Sequence, residues 1–96
     1  MEVSFHRFAE MELNEAAAYY QAERPGLGTS FLKEVDRCID SIVRFPKSGQ
    51  IILDPVRRRL LRRFPYGILY TVKPEGVRIL AVMNLKRRPF YWVGRS

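Results

Sequence analysis

One cysteine and one histidine are all this chain offers a soft metal or a disulfide. Cys38 alone excludes an internal disulfide and any cysteine-built zinc site, and His6 alone makes a histidine-rich metal site equally implausible. No apolar run approaches the roughly 20 residues a membrane span needs, so no membrane role is expected. Met1-Glu2-Val3-Ser4 has neither a basic start nor an apolar signal core, so a reducing, cytoplasmic setting is expected. Acid is also scarce where base is dense. Residues 46–96 hold two carboxylates, Asp54 and Glu75, against 12 Lys and Arg, while residues 1–45 hold eight acids against five bases. The resulting net charge of +7 therefore comes from the second half. It is concentrated in Arg57-Arg58-Arg59-Leu60-Leu61-Arg62-Arg63 and Lys86-Arg87-Arg88, both beside segments that read as strands. A fixed positive field on a folded surface suits a polyanionic partner such as nucleic acid or the ribosome.

At 96 residues and 47% hydrophobic content the chain reads as a single domain, 1–96, with one modest core. Val3, Phe5 and His6 suggest a short first strand. Leu13, Ala16, Ala17 and Tyr20 recur at helical spacing and predict a helix from Phe8 to Glu23. Glu10, Glu12 and Glu15, which mix helical phases, read as its solvated face. Arg24-Pro25-Gly26-Leu27-Gly28 breaks the helix, and the stripe Phe31, Leu32, Val35, Cys38, Ile39, Ile42, Phe45 predicts a second one from Thr29 to Phe45, ended by Pro46. So short a turn implies an antiparallel helical hairpin.

Three strands follow, Val56–Arg62, Tyr66–Val72 and Val77–Met83, the last two joined by the type I turn signature Lys73-Pro74-Glu75-Gly76. The expected class is α+β: an N-terminal strand, a helical hairpin, then a three-stranded antiparallel meander (β-α-α-β-β-β), with the helices on one sheet face. The other face must be partly covered or form a cleft. The second and third meander strands are apolar in both parities and should be central.

Period-two spacing puts Arg58 and Arg62 on one face of the first meander strand and Arg57, Arg59 and Arg63 on the other. Two readings stay open for this segment. It is an edge strand guarded by charge, or it is a nucleic-acid site. The tail Asn84-Leu85-Lys86-Arg87-Arg88-Pro89-Phe90-Tyr91-Trp92 mixes cations with aromatic rings, which suits single-stranded RNA. Phe90 and Trp92 are expected to lock it onto the sheet, leaving Arg87 and Tyr91 for function. Arg57, Arg58, Arg62, Arg63, Lys86 and Arg88 are the candidate nucleic-acid contacts. Cys38 is expected in the core and His6 in a structural role.

Several segments together resemble the RelE/ParE superfamily of toxins from type II toxin–antitoxin systems. They are Ala17-Ala18-Tyr19-Tyr20, Pro25-Gly26-Leu27-Gly28, Phe31-Leu32-x-Glu34-Val35, Arg63-Phe64-Pro65-Tyr66-Gly67-Ile68-Leu69-Tyr70, and Ile79-Leu80-Ala81-Val82 leading into Arg87-x-Pro89-x-Tyr91-Trp92. The resemblance implies a growth-inhibiting toxin, without cofactor, held by a cognate antitoxin protein. RelE-like members cleave mRNA in the ribosome, and ParE-like members poison DNA gyrase. By position, Arg59, Arg87 and Tyr91 look like the catalytic set of the RelE-like site, which should then converge in one cleft. Ribosome-dependent mRNA cleavage is the first expectation. A gyrase poison is the alternative, and a non-toxic nucleic-acid-binding module the third. Many relatives carry histidine where this chain has Asn84, and asparagine cannot shuttle a proton near neutral pH.

Overall fold

A computed structural model describes all 96 residues. Its elements are β1 (Glu2–Phe5), α1 (Arg7–Glu23), α2 (Leu27–Arg44), β2 (Gln50–Leu53), β3 (Val56–Leu60), β4 (Tyr66–Lys73) and β5 (Gly76–Asn84). The sheet order is β1-β5-β4-β3-β2. β1 runs parallel to β5, with Val3 opposite Val77, and the other neighbours are antiparallel. The α+β class and the helical hairpin are as expected. The sheet, however, is mixed and has five strands. β2 is the additional one, and it takes the edge beside β3, so the charged strand is internal and the edge-guard reading of its arginines fails.

His6 ends β1 and caps α1, its Nδ1 accepting the Phe8 N–H at 3.1 Å. That bond requires the neutral ring, and burial together with Arg95, Arg78 and Arg7 lowers the histidine pKa. The turn between the helices is stitched by Gln21, whose Oε1 accepts both the Gly26 and Gly28 N–H at 3.1 Å. Gly26 turns the chain at φ 88°, and a Cβ on Gly28 would press into Ala17 and Gln21 of α1. These two positions explain how α2 can start so close against α1.

α2 buries Phe31, Val35, Cys38, Ile39 and Ile42, the expected stripe, while Leu32 and Phe45 at its flanks stay exposed. The stripe meets Ile68 and Tyr70 of β4 and Val77, Ile79 and Val82 of β5. Tyr20, Phe31, Phe64 and Tyr66 form an aromatic group there, with Tyr20–Phe64 centroids 4.8 Å apart and Phe31–Phe64 centroids 5.1 Å apart. Such pairs add on the order of 1 kcal/mol each beyond area burial.

Val56, Leu69, Leu80, Ala81 and Met83 face the opposite way, and Trp92 covers them at 3% exposure. The two-sided burial accounts for the unbroken apolar runs of β4 and β5. Trp92 therefore does lock the tail onto the sheet, as expected. Phe90 does not, since it is 53% exposed and sits at φ 64°.

Candidate functional site

The arginines of β3 divide between the two sheet faces. Arg57 and Arg59 lie opposite Tyr70 and Ile68 and point to the helical side. Arg57 donates through Nη1 to the Lys47 and Gly49 carbonyls, at 3.0 and 2.8 Å. Arg59 donates through Nη1 to the Ser41 and Ser48 hydroxyls, at 3.2 and 2.7 Å. Both guanidinium groups thus brace the segment between α2 and β2. The buried Tyr70 hydroxyl braces it as well, donating to the Pro46 carbonyl at 2.8 Å and accepting the Gly49 N–H at 2.9 Å. Arg58 faces the other way and lines a small cleft with Phe90 and Trp92.

Beyond Leu60 the strand ends, and the alternation assumed for Arg62 and Arg63 ends with it. Their backbone N–H groups both donate to Glu34 Oε2, at 2.6 and 3.0 Å. This carboxylate fastens the turn to α2. The turn carries Arg62 and Arg63 into a cleft of about 490 Å³ with Arg59 and with Glu34, Arg37, Cys38 and Ser41 of α2. Four arginines there face one carboxylate. Burial raises the Cys38 thiol pKa, which keeps the wall formed by that residue neutral.

Arg87 lies elsewhere. It lines a second cleft, of about 420 Å³, between α1 and the end of β5, together with Glu12, Glu15, Tyr19, Tyr20, Tyr66, Asn84 and Lys86. Arg87 sits 4.1 Å over the Tyr91 ring, so the expected partnership of these two is present. Arg59 is not part of it, because the two clefts share no lining residue. The expected convergence of Arg59, Arg87 and Tyr91 in one cleft is therefore not what the fold builds. The reason is topological. Arg59 belongs to β3 and Arg87 follows β5, with β4 between them, and the C-terminal segment folds onto α1 and β5. Lys86 lines the Arg87 cleft, and Arg88 is exposed beside it.

Glu12 organises that region, contrary to its expected place on a solvated face. It accepts the Val82 N–H at 3.1 Å and the Tyr91 hydroxyl at 2.7 Å. Arg95 clasps it through Nη1 and Nη2, both at 3.0 Å, and Arg95 Nη1 also donates to the Leu80 carbonyl at 3.0 Å. The two side chains are each only 13% exposed, and theirs is the one side-chain ion pair in the chain. The bonds to Leu80 and Val82 take over the edge of β5 where β1 stops pairing, after Ile79. Sequence reasoning missed both residues. Glu12 carried a signal, lying three residues after buried Ala9 and four before buried Ala16 on one helical face. Arg95 carried none.

Burial and the bond to Glu12 raise the Tyr91 pKa well above its usual value, against the opposing pull of Arg95 and Arg87. A hydroxyl so held is a donor already in use. It is poorly suited to removing a proton at neutral pH. In the cleft beside it Glu12 is already neutralised by Arg95, so Glu15 alone stands against Lys86 and Arg87, a smaller cationic excess than in the α2–β3 cleft.

The sequence model described as "ParE toxin of type II toxin-antitoxin system, parDE" matches residues 3–89. The chain belongs to the ParE toxin family. It is thus the toxin of a type II toxin–antitoxin pair, with an antitoxin protein as partner. A solved chain described as "Chromosomal ParDE TA system from P. aeruginosa" shares the fold, with a TM-score of 0.77 at 19% identity, over 90% of this chain and 97% of that one. A search of curated proteins gave no match. No helix of this toxin is long and apolar enough to cross a membrane.

Proposed function

We propose that this toxin arrests growth by poisoning DNA gyrase, as ParE-like toxins do, and not by cutting mRNA in the ribosome. The observation that carries the reading is the ParE family match over residues 3–89. The dispersal of the expected cleavage residues supports it. Arg59 braces a loop in one cleft, while Arg87 and Tyr91 lie together at another. Arg87, Lys86 and Arg88 then act as target contacts, and Tyr91 as the platform under Arg87. The reading replaces the first expectation drawn from the sequence, ribosome-dependent cleavage, with its alternative.

The test uses purified gyrase, ATP and relaxed plasmid. Added toxin should block supercoiling and accumulate gyrase-cleaved DNA, and induction in cells should trigger the DNA-damage response. Unimpaired gyrase at excess toxin, together with cuts mapped to ribosome-bound messages, returns the case to an RNase.

A further inference from the structure

We propose that the cleft between α2 and β3 binds the phosphodiester backbone of duplex DNA. It rests on the gyrase reading only for its biological place, which is that the toxin grips the DNA held by its target as well as the enzyme.

Arg37, Arg59, Arg62 and Arg63 line the cleft from three separate segments of chain, namely α2, β3 and the turn after it. None has a carboxylate within ion-pair distance, since the chain's single side-chain pair is Arg95–Glu12. The lone acid of the cleft, Glu34, is occupied by the Arg62 and Arg63 backbone N–H groups. Arg59 is half-buried and held only by neutral serine hydroxyls, so its charge is fixed in place without being neutralised. Arg37, Arg62 and Arg63 are exposed and make no side-chain hydrogen bond, which leaves their planar donor forks free. One fixed guanidinium and three with free donors, none paired with a carboxylate, match the repeated oxygen pairs of a phosphodiester chain.

An acidic peptide is the competing ligand. A docked amphipathic helix needs several apolar anchors. Of the three apolar residues lining this cleft, Cys38 and Leu61 are buried and only Leu60 is exposed. The chemistry therefore favours phosphate over peptide.

The experiment measures binding of the whole toxin to a short fluorescent duplex by anisotropy between 50 and 200 mM salt, values that span the range where phosphate contacts show their salt dependence, roughly a tenfold effect or more. Arg37→Ala/Arg62→Ala removes two charges inside the cleft. Arg24→Ala/Lys73→Ala removes two outside it, with the same change in net charge. Both pairs are exposed, and circular dichroism with a melting curve confirms folding. The cleft pair should lose about tenfold in affinity and lower the salt slope by roughly 2, while the control pair changes affinity by about twofold or less. Equal losses for the two pairs overturn the site in favour of diffuse attraction. Binding of a fluorescent poly-glutamate peptide that is lost in the cleft pair and kept in the control pair, with no binding of the duplex, overturns it in favour of peptide. The gyrase assay keeps the two readings apart. Cleft-dependent DNA binding with gyrase unaffected leaves this site standing and removes the proposed target. Gyrase arrest with both variant pairs binding DNA alike does the reverse.

Discussion

A residue's type says less about its work here than the groups it meets. Tyr91 offered a ring and a hydroxyl, and the structure uses both. The ring carries the Arg87 guanidinium, and the hydroxyl donates to Glu12. The linkage sign follows from the raised pKa. Tyrosine in the unfolded chain ionises near about 10, and in the folded toxin well above that. The folded state therefore holds its proton where the unfolded state loses it. The stabilisation is complete below about pH 10 and is lost as pH climbs beyond. Tyr91→Phe should cost about 1.5 kcal/mol near neutral pH, as for a hydrogen bond to a charged acceptor. The gap to the parent should narrow in urea unfolding series taken at about pH 10 and above, where the parent alone loses the tyrosine contribution. A gap constant with pH would show that the hydroxyl is not the group at work.

At the scale of elements, legibility followed periodicity. The stripe of α2 and the apolar runs of β4 and β5 each bury a repeating face, and repetition is what a sequence displays. β2 escaped because Gln50-Ile51-Ile52-Leu53 is short, lies at the edge and is largely exposed, so no alternation marks it. The turn residues Gly49 and Asp54-Pro55 around three apolar side chains were the available cue. The candidate site was less legible still. Its arginines were visible, but which cleft each enters depends on where β3 ends and on Glu34, 28 residues away from Arg62 in sequence. The C-terminal segment, 85–96, has no strand or helix of its own, and two of its anchors are buried or nearly buried side chains. Trp92 seats in the core beneath the sheet, and Glu12 grips Tyr91 and Arg95 at the edge. The two anchors should be separable by mutation. Trp92→Ala should cost about 3–5 kcal/mol, the usual loss for a buried large aromatic. Glu12→Ala should cost about 3 kcal/mol, because it strands a nearly buried guanidinium and leaves the Tyr91 hydroxyl and Val82 N–H unpaired. Hydrogen exchange should distinguish them. Glu12→Ala frees the Val82 amide while Trp92 stays seated, so protection should fall first along the β5 edge. Unchanged Val82 protection would contradict the role given to Glu12.

For the whole molecule the governing fact is uncompensated charge. Arginines gather around the α2–β3 cleft and after β5, and the chain supplies a carboxylate partner only to Arg95. A surface in this state repels itself and gains by meeting an acidic protein. The ParE family supplies such an occasion, since its toxins are held by an antitoxin. Charge complementarity acts mainly on the rate of encounter, so the antitoxin should associate quickly at low salt and more slowly as salt rises, while dissociation changes little. Stopped-flow mixing of toxin and antitoxin over a salt series reads this directly. Arg62→Ala and Arg88→Ala, one for each basic cluster, then report whether steering uses the α2–β3 side, the C-terminal side or both. In cells the expectation is sharper. The toxin expressed alone should halt growth, and co-expression of the antitoxin encoded beside it should restore growth. If soluble, folded toxin leaves a host with sensitive gyrase growing normally, the inhibitory role itself fails. If growth stops but association is indifferent to salt, the toxin stands, and its antitoxin must recognise it through apolar surface instead, where exposed Tyr19, Leu32 and Phe45 on the two helices and their flank are the side chains to examine.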